Sequence, residues 1–202
     1  MTGSFYYLNQ FIGRNLCAAD LLLLRCFPDA KEITESFGMY WAIIKELQIE
    51  AKNEHVHVYC VGDGARPRTA ALCAFKSKWT AYAIDPNMKD EQQLRSTFGA
   101  VERLYIHADK GENLIYALED PNAIMVFVFC HSHASLSQIF KNIYVKPKTN
   151  QQVHLVSMPC CVPDDLKIRH ESYFDEHIAS PKNQINIYKN LQESIIAERN
   201  LN

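Results

Sequence analysis

The 202-residue chain has the length of one domain, and 48% apolar residues are enough to close a sizeable core. Its 21 basic and 23 acidic side chains nearly cancel to a formal charge of -2, which excludes a protein drawn onto nucleic acid or anionic membrane by its overall field. The opening MTGSFYYLNQ lacks the basic-then-apolar order of a signal peptide, Asp20 and Arg25 interrupt the apolar stretch 16–27, and seven cysteines, an odd number, sit mostly in apolar segments. A protein without a membrane span, in the reducing cytoplasm, is expected.

In chain order, two amphipathic helices over 9–24 and 36–51 come first, within an N-terminal part, 1–53, that precedes a core of 54–202 in the same domain. Continuous apolar runs rich in Val, Ile and Tyr follow at 55–61, 80–84, 103–107, 123–130 and 153–158; they read as strands buried on both faces. Between them 67–78, 89–98, 112–119 and 133–144 have the length of short crossover helices, and this alternation is the signature of a parallel sheet covered by helices on both sides. After the loop 145–152, the runs 174–178 and 184–188 flank Ala-Ser-Pro-Lys-Asn and predict an antiparallel edge hairpin. No repeat or linker marks a second domain.

Chemistry-bearing residues fall at the carboxyl ends of these strands. In HVHVYCVGDGARPRTAALCAF the first strand runs directly into Gly62, Asp63 and Gly64 and then into a helix. Glycine permits close approach to the backbone, and a helix start offers unpaired N-H groups, so a ligand site is expected here. About twenty residues on, Asp85 ends the second strand, where a carboxylate can accept both ribose hydroxyls of a nucleoside. Asp109, just past the third strand, can accept an adenine amine or equally cap the next segment. Arg66 and Arg68 lie in the first turn of a helix, against its dipole, which calls for either an anionic ligand or a salt bridge. The fourth strand ends in Cys130-His131-Ser132-His133, where Ser132 either caps the next helix or joins two imidazoles in a site; the fifth ends in Pro159-Cys160-Cys161. Neither spacing matches a structural zinc motif, so no metal is expected.

The segments GDGARPRTAALCAF and AIDP, with the acidic residue after the third strand, resemble the first three motifs of class I S-adenosylmethionine-dependent methyltransferases, over roughly 54–158. The resemblance implies a Rossmann-like, mostly parallel sheet of seven strands whose last is antiparallel. It also implies S-adenosylmethionine as cofactor, with Gly62, Asp63, Gly64 and Arg68 around its methionine end and Asp85 and Asp109 around its adenosine. The usual acidic residue before the glycines is replaced by Tyr59 or Cys60. The HxHxxL stretch and the Pro-Cys-Cys resemble a methyltransferase subgroup, partly RNA-directed, with these loops after the fourth and fifth strands. That resemblance implies His131, His133 and Cys160 as catalytic residues and RNA as acceptor, a small molecule or protein being the alternatives. A binding module or complex subunit without transfer activity is the competing expectation, with a protein partner.

Overall fold

A computed structural model describes residues 5–88, 91–99, 101–161 and 163–200. The helices are α1 (Tyr6–Arg14), α2 (Ala18–Leu23), α3 (Ala30–Lys45), α4 (Thr69–Lys76), α5 (Glu91–Phe98), α6 (Leu136–Lys141) and α7 (Gln192–Asn200). The strands are β1 (Val56–Val61), β2 (Thr80–Ile84), β3 (Leu104–His107), β4 (Tyr116–Ala117), β5 (Ile124–Cys130), β6 (Ile143–Tyr144), β7 (Gln152–Met158), β8 (Glu171–Phe174) and β9 (Gln184–Tyr188).

Seven strands form the main sheet in the order β3-β2-β1-β5-β7-β9-β8. The first five pair in parallel, and β9 runs antiparallel to both β7 and β8. Alternate side chains feed two cores. Val56, Val58 and Cys60 of β1 join the core under α1 to α4, whereas Tyr59 and Val61 join the one under α6 and α7. On that second face Tyr59 stacks on Tyr82 and on Phe127 with ring centroids 4.6 and 4.9 Å apart, a cross-strand ladder that fixes β1 against its neighbours.

The five parallel strands lie where the apolar runs predict them, and the hairpin completes one edge; its first strand is 171–174 rather than 174–178. The single predicted helix over 9–24 is two, because Asn15 takes an extended conformation and its side-chain oxygen accepts from Lys76 Nζ and Cys17 Sγ. The helix expected at 36–51 starts six residues earlier, at Ala30, because Asp29 caps it by accepting from the Glu32 amide at 2.9 Å. Positions 89 and 90 of the predicted 89–98 helix lie outside the described residues. The segment 112–119 is not a helix: Gly111–Asn113 makes one 3-10 turn, then Tyr116–Ala117 pairs with β6. Packing overrides helical propensity there, since buried Tyr116 meets Tyr59 and Phe127 edge-on and donates its hydroxyl to the Gly111 carbonyl at 2.8 Å. Helix α7 has no counterpart among the expected elements. None of the described helices is long and apolar enough to cross a membrane.

Candidate functional site

The carboxyl ends of β1, β2, β5 and β7 open onto two adjoining clefts. The first, about 390 Å³, is lined by Gly62, Asp85, Lys110, Glu112, His131 and His133 among others. The second, about 380 Å³, is lined by Glu32, Glu35, Arg68, Cys130 and Cys160, and it shares Gly62 and His131 with the first. Both volumes lie in the ~300–1,000 Å³ range of small-molecule sites.

Gly62 and Gly64 have φ of +77° and +85°, the left-handed region that favours glycine. What approaches them is protein. A Cβ on Gly62 would stand 2.4 Å from Ser132 Oγ, and one on Gly64 would stand 2.7 Å from Arg68 Nη2. Ser132 does not cap the helix that follows its loop; that cap is Ser135, which accepts from the Gln138 amide.

Asp63 is 3% exposed and turns into α4, where its carboxylate accepts the amides of Arg68, Thr69 and Ala70 at 3.0, 2.9 and 3.2 Å. Three amides at the helix start are thus satisfied from within and are not open to a ligand. Burial raises the Asp63 carboxyl to about 6, against the pull of Arg68 and the three amides. Arg68 donates from Nε to the Asp63 carbonyl and pairs through Nη1 with Glu32 of α3, and Arg66 donates to the Leu24 carbonyl. Internal partners thus account for Arg68, whereas Arg66 keeps its Nε buried without a partner among the described residues; α4 begins at Thr69, so neither cation lies in its first turn.

Asp85 is 6% exposed, follows β2 and lines the first cleft. Its two oxygens accept from the Gly64 and Asn87 amides at 2.9 and 2.7 Å. An ionised carboxylate has about four lone-pair sites, so half its capacity is left. Asp109 is exposed and accepts from the Lys110 amide and Asn113 Nδ2, both at 2.7 Å, so it shapes the turn whose Lys110, Gly111 and Glu112 line the cleft.

His131 (φ 53°) stands between the clefts, its Nε2 2.8 Å from Glu35 Oε1. A carboxylate only accepts, so Nε2 carries a proton; Nδ1 is buried without a hydrogen-bond partner among the described residues. Burial opposes the charge on Glu35, but hydrogen bonds from His131 and Lys31 outweigh it and hold the carboxyl below its ordinary value. Beyond His131 the chain brings His133 to Cys160 and Cys161, with Nε2 3.2 Å from each sulfur. Burial would raise the Cys160 thiol, yet the Cys161 amide and thiol together with His133 lower it to about 6.

Two aspartates hold these loops. Asp164 accepts from Ser157 of β7 and from Asn186 and Tyr188 of β9, and Asp165 accepts from Ser135 and Ser137 at the start of α6.

This architecture recurs in solved structures. An S-adenosylmethionine-dependent methyltransferase from Leishmania major matches over 91% of this chain and 82% of its own, at a TM-score of 0.52 and 11% identity. One from Aquifex aeolicus matches over 83% of this chain and 96% of its own, at 0.51 and 12% identity. The chain has the class I methyltransferase fold. No family model and no curated protein matches its sequence. Within the methyltransferase fold, the sequence-predicted Gly62, Asp85, His131 and His133 share one cleft, whereas Arg68 and Cys160 lie on the other. Sequence reasoning missed Lys31, Glu32 and Glu35 of α3. The expected helix began at residue 36, one position past Glu35, whose carboxylate is 1% exposed in a turn otherwise facing the core, so nothing in the sequence drew attention to it.

Proposed function

We propose that this protein is an S-adenosylmethionine-dependent methyltransferase whose cofactor lies in the first cleft. One observation carries the reading: on a methyltransferase fold, Asp85 follows the second strand beside the glycine turn, lines that cleft and has only two of its roughly four acceptor sites filled. The sites left free match the two hydroxyls of a ribose. Gly62 lines the cleft toward the methionine end, Gly64 packs against Arg68 at the edge of the second cleft, and the turn set by Asp109 walls the adenosine side. When bound, the cofactor supplies an already activated methyl group, so the chain's task is chiefly positioning.

The acceptor enters by the second cleft, next to His131 and Cys160, with His133 on the first-cleft side of the wall between them. Glu35 accepts from His131 Nε2 and so orients the ring where the two clefts meet, a positioning role beside the acceptor. A cleft of about 380 Å³ admits one nucleotide-sized group at a time, so an RNA acceptor would reach it as a single unpaired residue. The competing reading, a binding subunit without transfer, rests on Asp63: a carboxylate given wholly to α4 makes no contact with a cofactor ammonium.

Calorimetric titration with S-adenosylmethionine tests the site. Asp85→Ala removes a charge-assisted acceptor worth roughly 1.5–3 kcal/mol, about ten- to a hundredfold in affinity. Equal affinity in the folded variant, or no binding by the wild type, refutes the reading. Release of S-adenosylhomocysteine on incubation with candidate acceptors separates an enzyme from a binding subunit.

A further inference from the structure

We propose that His133, Cys160 and Cys161 bind a thiophilic divalent cation, zinc above all, leaving a fourth coordination position exchangeable. The inference stands on these side chains alone and does not require the methyltransferase reading.

The sequence keeps the histidine 27 positions from the first cysteine, a spacing that suggests no metal motif, but the fold closes the gap. Strands β5 and β7 are parallel neighbours with Cys130 opposite Met158, so the two loops leave the sheet side by side; the His131 amide donates to the Met158 carbonyl at 2.9 Å and ties their roots together. The result is a triangle: His133 Nε2 lies 3.2 Å from each sulfur, and the sulfurs lie 3.5 Å apart. That separation is far beyond the ~2.05 Å of a disulfide.

Hydrogen bonding serves this arrangement poorly. One imidazole nitrogen has a single hydrogen or a single lone pair, so it reaches both sulfurs only through one bent, shared hydrogen bond. A cation capping the triangle serves all three corners. The sides are short enough for one ion to sit just outside their plane at the ~2.0–2.3 Å of zinc-nitrogen and zinc-sulfur bonds. Two thiolates and a neutral imidazole balance a dication, each thiol releasing its proton to solvent as the metal-sulfur bond forms, so no net charge is left at the site. The donor set is soft, which selects zinc over magnesium or calcium. Three protein ligands with an open fourth position is the pattern of a reactive rather than a purely structural zinc. His133 and Cys161 are exposed, giving the ion an entry path; His133 borders the first cleft and Cys160 the second, so the open position falls on the wall between them.

The test uses the full chain, reduced and stripped with chelator, titrated with cobalt(II) and then with zinc. One equivalent of cobalt should give the intense visible bands of a tetrahedral thiolate complex, and zinc should displace it. X-ray absorption on the zinc form should count two sulfurs and the remainder nitrogen or oxygen. His133→Ala, Cys160→Ser and Cys161→Ser should each weaken zinc by at least about 100-fold, beyond the roughly 10–100-fold that an outer-sphere partner costs. His55→Gln, at the opposite end of β1, should leave it unchanged. Because the three positions lie in loops, the metal-free variants should melt with the metal-free wild type, which separates ligand loss from misfolding. A sub-stoichiometric or octahedral cobalt spectrum, fewer than two sulfurs, or wild-type affinity in the three variants overturns the proposal.

Discussion

Gly62→Ala separates a glycine reserved for a ligand from one reserved for the protein itself. At φ +77° an L side chain costs about 1–2 kcal/mol. The new Cβ would also stand 2.4 Å from Ser132 Oγ and 2.7 Å from Ser132 Cβ, an overlap of the kind that costs about 1–3 kcal/mol in a packed interior. The single variant should therefore lose about 2–5 kcal/mol. Ser132→Gly in the same chain removes both side-chain overlaps and leaves the backbone cost and a 3.1 Å approach to the residue's Cα, so a double-mutant cycle should return a favourable coupling of about 1–3 kcal/mol. Ser132→Ala should fall between, since its Cβ remains. Urea unfolding followed by tryptophan fluorescence measures every chain of the cycle and the Ser132→Ala arm. If Gly62→Ala is as stable as wild type and loses only ligand binding, or if the cycle closes with no coupling, the glycine does not serve Ser132 and the argument fails.

Asp63→Ala strips the cap from three amides of α4 and should cost about 2 kcal/mol by the same unfolding assay; a loss under half of that contradicts the capping role. Glu35→Ala removes the partner of both His131 and Lys31 and should cost about 1.5–3 kcal/mol; in any methyl-transfer assay it should lower kcat more than it raises KM, whereas a purely structural pair would leave kcat alone. His154 is buried, and desolvation, aided by Lys189, lowers it to about 4 from an unfolded value near 6.5. Its contribution is present above pH 6.5 and is lost as pH falls toward 4, reaching about 3 kcal/mol. Buried Asp63, raised to about 6, works in the opposite sense over much of this window, so the difference between wild type and His154→Gln is the quantity to follow. A difference independent of pH from 7 to 4 contradicts the assignment.

Strands were the most legible part of the chain. Each central strand is apolar on both faces, so 80–84 could be bounded to the residue and the others to within one. Elements decided by tertiary contact were not. Nothing local in 112–119 says that Tyr116 will turn into the second core and draw its neighbours into extended pairing with β6. The glycine turn was found, but not what fills it: Ser132 lies 70 residues away, and only the β1–β5 pairing brings it there. Asp63 read as a ligand contact because its position between two glycines does not reveal that its side chain turns inward to α4. The loops with His133 and Cys160 were legible as lying at the same carboxyl edge of the sheet, whereas their direct adjacency and the triangle they form depend on the pairing and register of β5 against β7.

The paired aspartates after β7 carry an implication for descent. Asp164 reaches back to β7 and β9 while Asp165 reaches across to α6, and the two are consecutive. Loss of Asp164 would loosen the β7–β9 side and loss of Asp165 the start of α6, so each carboxylate anchors a different element from one short loop. In descent that pair should be harder to replace than its exposed loop neighbours.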